Sequence, residues 1–132
     1  MPLPPPPEER ESPRDRLARL EAVVGTREAA LLCADLLASA DPTDHPQMLR
    51  WLGDASGRAI LEGSPSWLPY WGNVWGARGL LYVWDDDATP AVLGGLGHEA
   101  WRVAEMCLKV SAHRDLPAGD DAVRLARHEL PR

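Results

Sequence analysis

At 132 residues the chain has room for one domain with its own core and not for a second, since about 100–150 residues is the usual span of a single domain. Hydrophobic residues at 45% and charged residues at 26% mark a globular chain rather than a disordered one. A formal net charge of -6 supplies no field to draw the protein onto phosphate backbones or anionic membranes, so nucleic acid is disfavoured as a partner.

The usage inside those classes is skewed: there is no Phe, a single Lys, Ile and Asn, and 13 each of Arg and Pro. This reads as the codon bias of a GC-rich bacterial genome. No run reaches the roughly 18 apolar residues that cross a bilayer, and the N-terminus lacks the basic start and apolar stretch of a signal peptide. A cytoplasmic location without membrane contact is the expectation. Cys33 and Cys107 both fall in apolar helical text, which fits two buried free thiols better than a disulfide or a metal pair.

In chain order, residues 1–13 hold six prolines and two apolar side chains and are expected to form a mobile, partly polyproline II tail. Ser12, Pro13 and Asp15 then give an N-cap, a first-turn proline and an acidic third position, with Leu17, Leu20 and Val24 at helical spacing. Gly25 stops that helix. Thr26 is the expected cap of the next, whose face carries Ala30, Cys33, Leu36 and Leu37 up to the break at Asp41-Pro42. Two short helices follow, His45 to Leu52 and Ala55 to Glu62, then a loop at Ser64-Pro65-Ser66. The longest apolar helix is expected from about Pro69 to Trp84, closed by Asp85, Asp86 and Asp87. A short helix from Thr89 to Leu96, another from Glu99 to Arg114, and the start of a last one from Asp120 to Glu129 complete the reading. No segment alternates over a strand length, so the fold class is all-α with no sheet.

Shifting the chain by 30 residues superposes Trp71 on Trp101, Ala77 on Cys107, Leu80 on Val110 and Leu81 on Ser111. The same shift lays His98-Glu99-Ala100-Trp101-Arg102 over His128-Glu129-Leu130-Pro131-Arg132. Such a period marks stacked helix pairs that share a core with their neighbours.

The segment from Trp67 to Arg132 resembles the HEAT-repeat family, in particular the short bacterial repeats of the phycobilisome-lyase type. The resemblance rests on Thr89-Pro90-Ala91-Val92-Leu93 as first helix, Gly97-His98-Glu99 as turn, and Trp101 to Cys107 opening the second helix. Glu99 stands where the family has Asp and Val103 matches its Val, whereas Ala104 replaces an Arg and Cys107 an Ala. The resemblance implies a right-handed α-solenoid of antiparallel helix pairs over residues 14–132, with the last repeat incomplete. It also implies a non-catalytic scaffold or adaptor whose second helices line a concave face that binds another protein.

On the long apolar helix, Tyr70, Val74, Ala77, Leu81 and Trp84 form a stripe expected to face the core. The opposite stripe is Trp71, Trp75, Arg78 and Tyr82, flanked by Gly72, Gly76 and Gly79. Indole, phenol and guanidinium groups are enriched at interface hot spots, and three helix-weakening glycines point to close packing of some neighbour. Two readings stand for this stripe: a partner surface with Trp75 exposed, or packing against an adjoining unit. Arg102, Glu105 and Lys109 extend the candidate surface on the following helix, where Glu105 and Lys109 are a favourable pair four residues apart.

Motifs for a zinc helix, a phosphate loop, a cysteine pair and a nucleophile elbow are missing, so no catalytic residue, metal or cofactor is expected. Asp41, Asp44 and His45, and the run Asp85 to Asp87, read as turn and cap residues rather than cation ligands. The runner-up function is a HEAT-like nucleic-acid-binding protein or an enzyme similar to the alkylpurine DNA glycosylases, for which Trp71, Trp75, Arg78 and Asp85 are the matching residue types. The acidic balance and the short chain place it second. Finally, Asp120 to Glu129 is expected to leave an apolar edge at Val123, Leu125, Ala126 and Leu130. A second copy of the chain, the folded-back N-terminus or further residues of a longer protein are its candidate covers.

Overall fold

The computed structural model describes residues 3–6 and 11–118, and among these every regular element is helical. Helix α1 (Pro13–Val24) begins as its residues require: the Ser12 side chain accepts the Asp15 N–H at 3.2 Å, and Pro13 fills the first turn. Gly25, at φ 91°, ends α1 and leads directly into α2 (Thr26–Ala38). Thr26 is thus the first residue of α2 and not its cap, and its hydroxyl donates to Glu21 at 2.8 Å. A 3-10 turn, Pro42–Asp44, capped by Asp41, precedes α3 (Pro46–Gly53) and α4 (Ala55–Leu61).

The joint between α3 and α4 is Asp54, held at φ 49° and ψ -121°, where L side chains are strained. Arg16 from α1 braces it. Its guanidinium is buried, donates to the Trp51 carbonyl at 2.9 Å and pairs with the Asp54 carboxylate at 3.3 Å.

After residues 62–69 come α5 (Tyr70–Gly79), a 3-10 turn at Asp86–Ala88 running into α6 (Thr89–Gly95), and α7 (Trp101–His113). The helix expected to reach Trp84 therefore stops at Gly79. Leu80, Leu81 and Tyr82 donate to the carbonyls three residues back, which tightens the last turn. Arg114, just past α7, donates Nε and Nη2 to the Leu80 carbonyl at 3.1 and 2.9 Å. With the helix cut short, Leu81 and Trp84 fall out of phase and are half-buried rather than buried.

Helix α2 lies at the centre, packed on α1, α3, α5 and α6, while α5 packs on α2, α3 and α7. The α2–α5 crossing is close because α5 meets α2 with glycines at positions 76 and 79. A Cβ on Gly76 would lie 2.6 Å from the Cys33 carbonyl oxygen and the Leu37 nitrogen, and one on Gly79 would lie 2.6 Å from Cys33 Sγ. The neighbour inferred from the three glycines is thus the chain's own second helix at Gly76 and Gly79, whereas Gly72 packs against Pro42 and against Leu49 of α3, to which a Cβ would come within 2.6 and 2.8 Å. Asn73, also buried, locks the crossing by donating its side-chain amide to the carbonyls of Leu36, Leu37 and Ser39 at 3.1, 3.0 and 2.9 Å. Those oxygens lie in the last turn and at the C-cap of α2, where intrahelical donors run out, and the Leu36 oxygen also accepts the Ser39 N–H at 3.3 Å.

Of the segment read as a tail, Leu3 to Pro6 runs beside α3, with Leu3 against the core. The helix expected from Asp120 to Glu129 and its apolar edge lie outside the described residues. Among the described residues no helix is long and apolar enough to cross a membrane.

Candidate functional site

The stripe Trp71, Trp75, Arg78 and Tyr82 does not act as one surface. Trp75, exposed on the partner-surface reading of the stripe, retains 5% of its accessibility and belongs to the core. It is covered from two directions that no local periodicity reveals: a Cβ on Gly53 would stand 2.6 Å from its Cη2 atom, and the Trp67 ring lies 5.8 Å away at 48°. Tyr82 is the most exposed member, but it sits beyond the end of α5 and turns toward α1, where the Arg14 guanidinium lies 5.7 Å from its ring. Arg78 is half-buried, and loss of water holds its guanidinium below its ordinary pKa while the nearby Tyr82 phenol pushes the other way.

Trp71 remains at the surface and gathers a different set of neighbours. Its ring is edge-on to Trp67 at 5.7 Å and stacked on Tyr70 at 5.2 Å. Because α5 and α7 pack side by side, Arg102 reaches across to it, with its guanidinium 5.3 Å from Trp71 and 4.5 Å from Trp101. The result is a half-buried platform of four aromatic rings crossed by one exposed cation, resting on Trp75 beneath. Each such cation–π contact stabilises by about 0.5–1 kcal/mol at an exposed position. Further along α7, Glu105 is half-buried and Lys109 exposed, so both remain on the outer face of the helix that carries Arg102.

Trp67 is the residue sequence reasoning missed. It falls between the loop at Ser64-Pro65-Ser66 and the start of the long helix, although Trp67, Trp71 and Trp75 follow one another at intervals of four. That spacing was the available signal.

Three further reactive groups are committed to structure. Cys33 and Cys107 are buried free thiols whose pKa is pushed up to about 12 by burial, which keeps both protonated and unreactive. The Asp85 carboxylate is held below its ordinary pKa by the Asp87 N–H and by Arg27, which it meets at 2.9 Å. Among the described residues no three His, Cys, Asp or Glu side chains converge in a way that could hold a metal ion. Comparison of the chain with family models, with curated proteins and with solved structures finds no match.

Proposed function

We propose that this chain is a non-catalytic, HEAT-like helical repeat protein that binds another protein through the platform of Trp67, Tyr70, Trp71, Trp101 and Arg102. The observation that carries the reading is Arg102 lying between the rings of Trp71 and Trp101, half in solvent, on two helices packed side by side. Aromatic and Arg side chains held rigid by their own chain lose little conformational freedom on association, which is why they dominate binding energy. The equivalence of α5 and α7 supports the repeat part of the proposal. Ala77 and Cys107, and Leu80 and Val110, are all fully buried, and Trp71 and Trp101 flank the same guanidinium.

The glycosylase-like alternative has less support, since Trp75 is buried and Asp85 is engaged by Arg27. A photo-crosslinking residue at Arg102 or Lys109, with Arg102→Glu as competitor variant, tests the proposal in extracts of the source cell. A defined protein adduct at both positions, weakened by Arg102→Glu added in trans less than by wild type added in trans, is the expected result. Retention of duplex DNA at low salt with no protein adduct would favour the alternative.

A further inference from the structure

We infer that the outer face of α3 is a reader of proline-rich extended chain, and that Leu3-Pro4-Pro5-Pro6 is its resident, displaceable ligand. This surface is separate from the aromatic platform and does not depend on it. Two side chains of α3 hold the backbone of the segment. The Trp51 indole N–H donates to the Pro4 carbonyl at 3.0 Å, and the Leu3 N–H donates to Gln47 Oε1 at 3.1 Å. Gln47 and Trp51 are four residues apart and so stand one above the other on the same helix face. Arg50 completes a groove of about 270 Å³ along the segment.

The chemistry of the occupant fits that grip. Leu3, Pro4 and Pro5 each precede a proline, which excludes helical backbone at all three and leaves the segment extended before it binds. Little ordering entropy is therefore lost on docking. The Pro4 carbonyl belongs to the tertiary amide joined to Pro5, so it has no N–H of its own amide bond, and it meets the indole donor of a tryptophan that is 3% exposed with the segment in place. An aromatic wall with a donor at its rim is the arrangement by which polyproline II ligands are recognised in general. The ligand class is thus a peptide of the form Leu-Pro-Pro-Pro, supplied here in the same chain.

The test uses the full chain, nitrogen-15 labelled, with Pro4, Pro5 and Pro6 replaced by glycine so that the resident loses its stiffness. The probe is the peptide acetyl-Leu-Pro-Pro-Pro-amide, and the readout is the Trp51 indole N–H resonance, assigned with Trp51→Phe. In the P4G/P5G/P6G chain the resonance should leave its wild-type position and return saturably as peptide is added. Wild type should require at least about tenfold more peptide, because a tethered ligand competes at high effective concentration. Gln47→Ala, an exposed position whose loss leaves the fold intact, should weaken the peptide about fivefold for one lost hydrogen bond. An indole resonance that ignores the peptide in a folded chain overturns the inference. So does equal binding of acetyl-Leu-Gly-Gly-Gly-amide, or a Gln47→Ala chain with unchanged affinity.

Discussion

Asn73 is the one asparagine of the chain, and it sits in the middle of a helix, where that residue type is a weak former. Its placement makes sense only across the molecule, where its amide closes three carbonyls at the end of α2. Asn73→Ala takes this donor from all three carbonyls, leaving the Leu36 oxygen only the Ser39 N–H, and should cost about 2–3 kcal/mol in urea unfolding, at the upper end for lost buried hydrogen bonds. A loss below about 0.5 kcal/mol would show that water replaces the amide without penalty. Nothing in the local sequence distinguishes this role from a solvated polar side chain.

Gly79 gives a sharper residue-scale test, because its obstacle is one atom. A Cβ there meets Cys33 Sγ at 2.6 Å, and its next neighbours, Cys33 Cβ and Leu17 Cδ1, stand at an ordinary 3.5 Å. Gly79→Ala alone should therefore destabilise, while in a Cys33→Ala background the same change should be nearly free. A double-mutant cycle should read a favourable coupling of about 1–3 kcal/mol, the range for directly contacting pairs. Additive effects would mean that the helices separate to admit the methyl group.

At the scale of elements, three helices end on carbonyls that a side chain from elsewhere takes up. Asn73 serves α2, Arg16 serves α3 through the Trp51 oxygen, and Arg114 serves α5 through the Leu80 oxygen. This is why helix starts were more legible than helix stops. Starts are signalled locally by Ser12, Pro46 and Pro90, and all three occur at or beside the first turn. The stop of α5 is not, since the text from Leu80 to Trp84 stays apolar and the ligand for its last carbonyl lies 34 residues on. The two readings of Trp75 stay undivided in the sequence for the same reason: helical phase assigns it to a stripe, but Gly53 and Trp67 decide what covers that stripe.

Arg114→Ala should loosen this junction, freeing the Leu80 carbonyl and removing the guanidinium that lies 5.3 Å from the Trp84 ring. A fall in stability of about 1–2 kcal/mol is expected for a charged hydrogen bond plus a cation–π contact, with Arg114→Lys intermediate. Trp84 fluorescence in a chain whose other tryptophans are matched between variants provides the local readout. An unchanged Trp84 signal in Arg114→Ala, even with lower stability, would contradict the proposed junction.

At the scale of the whole molecule, the all-helical class and the order of the helices among the described residues, and the burial of both cysteines, are open to reading from periodicity and caps. What was not open was the arrangement, because α2 meets α5 and α6 across intervening helices and turns. The glycines supplied the one long-range hint, that something approaches α5 closely, without naming α2.

The crossing of α2 and α5 has a consequence for how the molecule opens. Cys33, Leu36 and Leu37 are buried in part against a helix whose Asn73 lies 37 residues beyond Leu36, so helices α1 to α4 alone leave their cover incomplete. In an extended array each unit can fray from an end while the rest persists, and amide exchange then shows a gradient along the chain. Here the amides of α2 and α5 should instead exchange with a single free energy, equal to that of global unfolding. Native-state exchange at rising denaturant measures this directly: merging of the two sets of isotherms is expected, and release of α5 at markedly lower denaturant than α2 would show that the two do not open as one.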